Sequence, residues 1–246
     1  MNRIEDYLLL KNRIVTWIKD YAETNNIQSL VVGVSGGIDS AVVSTLCAET
    51  KLPTFPLGMP IHQDHEQESL SDSHLDKLND RYDNVKTLKF DLTRTFETFK
   101  KTLNEYSHDE LSLANTRSRL RMVTLYQIAG KYNGIVVGTG NKVEDYGVGF
   151  FTKYGDGGVD IAPIADLYKT EVRELGKVLG VSEEIIEATP TDGLWDDKRT
   201  DEDQLGVPYS LLEEAMETGT GPGVKVLQRF NKANQHKMQP IPTFKL

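Results

Sequence analysis

A glycine-rich loop, Ser35-Gly36-Gly37-Ile38-Asp39-Ser40, joins a short apolar segment to a run that begins with capping residues. The apolar segment, Leu30 to Val34, is rich in β-branched residues and predicts a buried strand. The run that begins at Asp39 predicts a helix. Two adjacent glycines let the backbone approach an anion closely, and the N–H groups at a helix start carry partial positive charge. The sequence therefore predicts a strand–loop–helix unit with a phosphate site at its turn.

The polar side chains of this loop indicate what kind of phosphate it holds. Ser35 and Ser40 add hydroxyl donors, whereas the carboxylate of Asp39 repels a phosphate unless a metal bridges the two groups. We therefore expect a polyphosphate with Mg²⁺. A Walker loop is excluded because no Gly-Lys-Ser/Thr occurs, and Gly138-Thr139-Gly140 lacks the third glycine of a dinucleotide fingerprint, since position 143 is Val143. A tight turn that uses its serines and aspartate only as caps is the structural alternative.

The rest of the chain alternates between predicted strands and predicted helices. Further strand candidates are Phe55 to Met59, Val85 to Asp91 and Gly134 to Gly138, separated by helical patterns long enough to cross over. This alternation predicts an α/β fold, an open and mostly parallel sheet with helices on both faces. No repeat or flexible linker divides the chain, so we expect a single domain over residues 1–246.

Helices are predicted elsewhere from apolar periodicity. They open the chain, with apolar positions at Ile4, Tyr7, Leu8, Ile14, Trp17, Ile18 and Tyr21, and recur at Leu111 to Lys131, Lys169 to Leu179, Ser182 to Ala188 and Lys225 to Lys237. The glycine-rich stretch from Asn141 to Asp160 is predicted to be an irregular loop that acts as a lid. The acidic segment Asp192 to Asp203 is predicted to be a mobile surface strip.

Composition excludes several classes of function. The formal net charge is -9, from 28 Lys and Arg against 37 Asp and Glu, which argues against a nucleic-acid partner. No long apolar run predicts a membrane span, and the charged first residues do not resemble a signal peptide. The single cysteine, Cys47, is expected in the core of a protein from a reducing compartment, by default the cytoplasm. His62 and His65 are expected on a solvated helix face, without a metal.

The loop from Ser35 to Ser40 resembles the signature of the N-type ATP pyrophosphatases, which cleave ATP between its α and β phosphates. Within that superfamily, three stretches resemble the NAD synthetases: Gly138 to Glu144, Gly149 to Asp160, and Pro163. The resemblance implies an adenine-nucleotide α-hydrolase-like fold. It also implies that ATP adenylates the carboxylate of deamido-NAD and that free ammonia then displaces AMP to give NAD, with no covalent nucleophile from the protein. A homodimer whose dinucleotide site draws on both subunits is implied as well.

The resemblance also implies roles for individual residues. Asp39 and Glu144 are expected to bind Mg²⁺. The residues expected to contact ATP are Gly33, Val34, Ser35, Gly36, Gly37, Ile38, Asp39, Ser40, Thr139, Lys169 and Thr191. The residues expected to contact deamido-NAD are Arg119, Lys153, Asp160, His236 and Lys237. The stretch from Glu144 to Gly149 is one residue longer than in some members of the family.

Each of these positions also has a simpler interpretation. Glu144 is an ordinary solvated acid unless it follows a strand end, and Thr191 after Pro190 is an ordinary cap. A salt bridge or an Asx turn accounts equally for Lys153 and Asp160, and basic residues at a helix end account for His236 and Lys237. Arg119 competes with its neighbours Arg117 and Arg121.

Two other functions compete with this interpretation. One is a different ATP pyrophosphatase, such as a GMP synthetase module or a tRNA-modifying ligase, and the latter would call for basic patches or a cysteine pair. The other is a non-catalytic adenine-nucleotide sensor, which would need the phosphate loop without a second acid or a lid. Glu144 and the stretch after it argue against the sensor. Glutamine-dependent relatives carry an extra amidase domain with its own cysteine, so the predicted nitrogen source is ammonia.

Overall fold

The computed structural model describes residues 3–191 and 200–245. Four parallel strands form one sheet in the order β3-β2-β1-β4. Their bounds are Ser29–Gly33 (β1), Thr54–Gly58 (β2), Leu88–Lys89 (β3) and Gly134–Val136 (β4). The chain runs outward from β1 to β3 and then returns to place β4 on the other side of β1. The strand order therefore reverses between β1 and β4, and the carboxyl ends of strands at such a reversal are where open α/β sheets bind ligands.

Helices cover both faces of this sheet, as predicted. Their bounds are Tyr7–Thr24 (α1), Ile38–Glu49 (α2), His65–Arg81 (α3), Thr93–Leu103 (α4), Glu110–Lys131 (α5), Lys169–Leu179 (α6), Glu183–Glu187 (α7), Asp201–Leu205 (α8), Tyr209–Thr218 (α9) and Val224–Met238 (α10). A 3₁₀ turn spans Asn104–Tyr106, and a π-helix spans Lys142–Val148.

Alternate residues of β1 point to different sides of the sheet. Leu30 and Val32 pack with α1, α2 and α6 in the larger core, whereas Val31 joins the smaller core under α5. All three are completely buried. A strand buried on both faces appears in sequence as a continuous apolar run, which is why Leu30 to Val34 could be recognised without an alternating pattern.

A third apolar cluster lies beyond the sheet. It joins α8, α9 and α10 to the π-helix through buried residues such as Val143, Val148, Leu205 and Leu212. This cluster stands next to the end of β4 and holds the π-helix against the main body of the protein. Within residues 3–191 and 200–245, no helix combines the length and apolar character needed to cross a bilayer.

Three predicted segments differ from the structure. The strand expected from Val85 to Asp91 is reduced to Leu88–Lys89 and one bridge at Val85, because this edge strand has a neighbour on one side only. The loop expected from Asn141 to Asp160 contains the π-helix. Residues 192–199 of the expected acidic surface strip lie outside the described residues, but Asp201 is 5% exposed within α8, so its placement on the surface was wrong.

Candidate active site

A cavity of about 620 Å³ opens at the carboxyl ends of β1 and β4. This volume is in the usual range for a small-molecule site. Its wall includes all eleven residues expected to contact ATP, together with Glu144 and Lys237. The phosphate loop, the end of β4, the start of α6 and the segment before α8 therefore converge on one site, although more than 150 residues separate the first from the last.

The phosphate loop is held in shape by its own serines. The Ser35 N–H donates to Ser40 Oγ at 3.1 Å, and the Ser40 hydroxyl donates to the Gly37 carbonyl at 2.9 Å. Gly36 has a φ of 92°, and a Cβ at this position would lie 2.5 Å from the carbonyl oxygen of Gln67. Only glycine fits here, both for its backbone conformation and for the close approach of α3.

Gly37 is different, because nothing in the fold requires a glycine there. Its φ is -86°, and an added Cβ would meet only Ser35 Oγ, at 3.4 Å. Gly37 is the N-cap of α2 and supplies no side-chain cap, and the first residues of this deeply buried helix line the cavity. An uncapped helix start beside a missing side chain suits an anion that approaches the backbone closely.

Asp39, Glu144 and Lys169 meet in the wall of the cavity. Lys169 is the first residue of α6, and its side chain is 4% exposed. Its ammonium lies 2.5 Å from Asp39 Oδ2 and 2.9 Å from Glu144 Oε1. Lys169 thus does not point freely towards a phosphate in this structure but bridges the two carboxylates expected to bind the metal.

The charges in this group adjust one another's proton affinity. Burial alone would raise the pKa of Glu144, but the charge of Lys169 and a hydrogen bond from Tyr209 lower it below the ordinary value. Burial raises the pKa of Asp39 to about 6 in spite of Lys169. Burial also opposes the charge on Lys169, yet Asp39 and Glu144 raise its pKa. Lys169 therefore remains a buried cation throughout the neutral pH range.

The residues present fit a divalent cation that arrives with a phosphate ligand. Asp39 Oδ1 is buried and has no hydrogen-bond partner, so one carboxylate oxygen is available. Among the described residues no group of three or more acidic, histidine or cysteine side chains could hold a metal by itself. Mg²⁺ is commonly bound by one or two carboxylates together with substrate phosphates, which is the donor set available here.

Two residues that sequence reasoning missed hold Glu144 in place. Asn141 is completely buried and caps the π-helix by accepting hydrogen bonds from the N–H groups of Val143 and Glu144, at 3.0 and 3.1 Å. The Tyr209 hydroxyl donates to Glu144 Oε1 at 2.6 Å from the start of α9. An Asn three residues before an acid is a recognisable capping signal, but nothing local marks Tyr209.

The glycine-rich stretch forms the outer wall of the cavity and is tied to its neighbours. Asp156 Oδ1 accepts hydrogen bonds from the Ser118 hydroxyl at 2.7 Å and from the Thr152 N–H at 3.0 Å. Lys237 of α10 donates to the carbonyl of Phe151 at 2.6 Å. Asp145 also lines the cavity, and burial beside Asp156 and Glu144 raises its pKa well above the ordinary value. Sequence reasoning missed both Asp145 and Asp156.

A sequence model of the NAD synthase family matches residues 10–241. The chain belongs to the NAD synthase family. The NH(3)-dependent NAD(+) synthetase of Carboxydothermus hydrogenoformans is 37% identical over 235 residues, which cover 92% of each chain. Two solved structures are similar over almost the whole length. NMN synthetase from Francisella tularensis has a TM-score of 0.89 at 33% identity, covering 99% of this chain and 100% of that one. The NH3-dependent NAD synthetase from Campylobacter jejuni has a TM-score of 0.78 at 26% identity, covering 98% and 100%.

The five residues expected to contact deamido-NAD do not all lie at the cavity. Lys237 alone among them lines the cavity. Lys153 and His236 lie outside it, and Asp160 is engaged by the Val136 N–H at 2.7 Å and the Tyr126 hydroxyl at 3.1 Å. The structure therefore does not assemble these five residues within one protomer.

Arg119 and Arg121, two arginines of α5, differ in position. Arg119 is exposed and donates to the carbonyl of Lys153 at 3.3 Å, outside the cavity. Arg121 lines the cavity and donates to the carbonyl of Met59 and to Gln63 Oε1, both at 3.0 Å. Arg121 is thus the arginine at the cavity wall, a distinction that the sequence could not make.

Cys47 occupies the position expected for it. It is completely buried in α2 as part of the main core, and burial raises the pKa of its thiol. A thiol that is both buried and protonated is a poor nucleophile, so the prediction that Cys47 is a core residue is confirmed.

Proposed function

We propose that this protein uses ATP to amidate deamido-NAD with ammonia, giving NAD, AMP and pyrophosphate. The observation that carries the proposal is the uncapped start of α2 at Gly37, which lines the same cavity as Asp39 and Glu144. Family membership supplies the reaction, and the cavity supplies a place for the phosphates of ATP beside two acids. The match over residues 10–241 supports a single synthetase domain.

The chemistry requires activation because a carboxylate oxygen is a poor leaving group. Adenylation turns that oxygen into part of AMP, which ammonia can displace. The N–H groups of the loop from Ser35 to Ser40 hold the departing pyrophosphate, since the dipole of α2 favours negative charge at this end. No side chain forms a covalent bond to the substrate, and the protein acts by positioning and by charge stabilisation.

Asp39 and Glu144 are proposed to bind Mg²⁺. The buried and unpartnered Oδ1 of Asp39 supports this assignment. When bound, the cation neutralises the phosphate oxygens and stabilises charge that develops on pyrophosphate. Tyr209 holds the side chain of Glu144 at this position, and Asn141 holds its backbone N–H.

A homodimer is the proposed assembly, because two of the residues expected at the dinucleotide, Arg119 and Asp160, are exposed beside one face of α5. Arg119, Val123 and Tyr126 are spaced by four and three residues and share one side of α5. Val123 is 58% exposed, and Tyr126 is hydrogen-bonded to Asp160. A second copy packed on this face would bury the apolar residues and bring Arg119 and Asp160 to a shared site. Sedimentation of the pure protein tests this, and a fully active monomer would contradict it.

Amidation of the nicotinate mononucleotide is a second candidate function. The favouring observation is the higher TM-score to the Francisella NMN synthetase, 0.89 against 0.78 for the Campylobacter NAD synthetase. The placement of four of the five dinucleotide residues outside the cavity agrees with it. Both substrates present the same carboxylate, so the chemistry at the phosphate loop is identical, and the two functions differ only in whether an adenylate half is recognised.

The deciding experiment compares both nucleotides on the same enzyme. Pyrophosphate release is measured with ammonia and ATP and either deamido-NAD, nicotinate mononucleotide or xanthosine monophosphate. A higher kcat/KM for deamido-NAD supports the first function, and a higher value for the mononucleotide supports the second. Reaction with xanthosine monophosphate alone, or ADP as the product, would contradict both.

A further inference from the structure

Lys169 is the most completely buried charge in the described part of the cavity wall, and it stands between the two acids proposed as metal ligands. Its side chain is 4% exposed, whereas those of Asp39 and Glu144 are 14% and 16% exposed. Its ammonium contacts one oxygen of each acid. A cation is therefore present between the two carboxylates without any metal, and this cation is part of the chain.

The two acids need such a charge between them. Two carboxylates close together in a buried site repel each other, and a positive charge between them offsets that repulsion. The other neighbours in the described part of the chain are not cationic: Asn141 donates to Asp39 Oδ2 at 3.5 Å, and the Tyr209 hydroxyl donates to Glu144 Oε1 at 2.6 Å. Among the described residues, Lys169 is thus the cation that offsets the repulsion between Asp39 and Glu144.

Lys169 also stands in competition with a metal. The oxygens that it engages, Asp39 Oδ2 and Glu144 Oε1, belong to the acids that a divalent ion would use. The side chain is fixed at the first residue of α6, and the Tyr168 N–H just before it is held by Glu171 at 2.8 Å. Glu171 in turn pairs with Arg3 at 2.9 Å. Lys169 also lines the cavity in which the phosphates of ATP are expected.

We propose that Lys169 occupies the place of the divalent cation in the substrate-free protein and keeps free metal ions out until ATP arrives. The phosphates of ATP then offer the ammonium a new partner, and the metal enters between Asp39 and Glu144 as Lys169 moves to the phosphates. The protein therefore selects the metal–ATP complex over either component alone. This inference rests on the assignment of Asp39 and Glu144 as metal ligands in the proposed function.

The test uses Mn²⁺ as the probe, and its binding to the nucleotide-free protein is followed by electron paramagnetic resonance. The wild-type protein is expected to bind free Mn²⁺ weakly. Lys169→Met keeps the length of the side chain and removes the charge, so it is expected to bind Mn²⁺ at least about tenfold more tightly. Lys169→Arg keeps the charge and should exclude the ion. Lys177→Met, an exposed change on the same helix, controls for loss of a lysine.

A double variant shows where the Mn²⁺ ion binds, and the wild-type protein provides a measurement that does not depend on any variant. Adding Asp39→Asn to Lys169→Met should abolish the gained Mn²⁺ binding, which shows that the ion lies at these acids. Tight Mn²⁺ binding to the nucleotide-free wild type, or equal affinities for wild type and a folded Lys169→Met, would overturn the inference. If Lys169→Met does not fold, Mn²⁺ binding by the nucleotide-free wild type still tests the inference. Amidation by the wild type is assayed separately, so failure of the proposed function is distinguished from failure of this inference.

Discussion

Tyr209 donates its hydroxyl to Glu144 at 2.6 Å across a sequence separation of 65 residues. The contact joins the first residue of α9 to the π-helix that follows β4. An i→i+5 turn takes up one more residue than an α-helical turn. The resemblance predicts one extra residue between Glu144 and Gly149, and a π-helical turn would accommodate it. In this structure Glu144 lies close to both Tyr209 and Lys169. The orientation of one proposed metal ligand therefore depends on a helix from the separate apolar cluster.

Replacing Tyr209 with phenylalanine should lower activity without unfolding the protein. Loss of a hydrogen bond that orients a metal ligand typically costs about 10- to 100-fold in metal affinity or activity. We expect a higher Mg²⁺ requirement and a fall in kcat in steady-state assays. Tyr82→Phe is a matched control, since the Tyr82 hydroxyl donates to Glu49 at 2.6 Å and Tyr82 does not line the cavity. The control should lose about 1 kcal/mol of stability and keep full activity. Equal activity losses in both variants would contradict the positioning role.

Adjacent glycines of the phosphate loop should respond in opposite ways to alanine. Gly36→Ala places a methyl group 2.5 Å from the Gln67 carbonyl at a φ of 92°, so it should destabilise the fold. Gly37→Ala meets no such obstacle and should leave the melting temperature within about 3 °C of wild type. Its methyl group projects into the space where the phosphates are expected, so the KM for ATP should rise. Calorimetry and ATP titration check both variants, and unchanged ATP binding by Gly37→Ala would exclude close approach of a phosphate there.

The phosphate loop and the fold class could be predicted because their signals are local. A buried strand, two glycines and a helix start are adjacent in sequence, and all eleven expected ATP residues do line one cavity. Tyr209 and Asp201 could not be predicted, because their roles arise only when α8 and α9 pack against the π-helix. The sequence also could not show that Arg121 lines the cavity and Arg119 does not, because residues two apart on a helix face different directions and nothing local says which direction meets the cavity. The contact of Arg119 with deamido-NAD stays a prediction.

Asp39→Asn and Glu144→Gln should each remove turnover while the fold persists. Each variant leaves Lys169 with one remaining carboxylate partner, so no buried charge is left alone. Loss of a metal ligand removes several kcal/mol of transition-state stabilisation, which is about a hundredfold or more in kcat. Asp166→Asn is the control, because the Asp166 side chain is 88% exposed and pairs only with Lys142 in the salt bridges of the described residues. Circular dichroism verifies folding, and wild-type rates in Asp39→Asn or Glu144→Gln would remove the metal assignment.

His74 should make the protein less stable in acid. Burial lowers its pKa to about 4, and its ring is hydrogen-bonded to the Ser44 hydroxyl at 2.9 Å. The folded state therefore prefers neutral His74, so its contribution is complete above the unfolded pKa of about 6.5 and is lost as the pH falls towards 4. The loss amounts to about 3 kcal/mol at most. Urea unfolding from pH 7 to 4 should show a flatter profile for His74→Gln than for the wild type, with exposed His108→Gln as the control. Parallel profiles for wild type and His74→Gln would contradict this.

We expect ATP to be cleaved between its α and β phosphates, because the loop from Ser35 to Ser40 is proposed to hold pyrophosphate. The nicotinate carboxylate attacks the α-phosphorus, pyrophosphate leaves, and ammonia then displaces AMP together with one carboxylate oxygen. Substrate labelled with oxygen-18 in that carboxylate should therefore deliver label to AMP and none to pyrophosphate, as mass spectrometry of the products would record. Without ammonia, net amide formation should stop, while labelled pyrophosphate should still exchange into ATP as the adenylate forms and reverts. Formation of ADP, or label in inorganic phosphate, would indicate an acyl-phosphate route, and the loop would then have to be a site of γ-phosphate transfer.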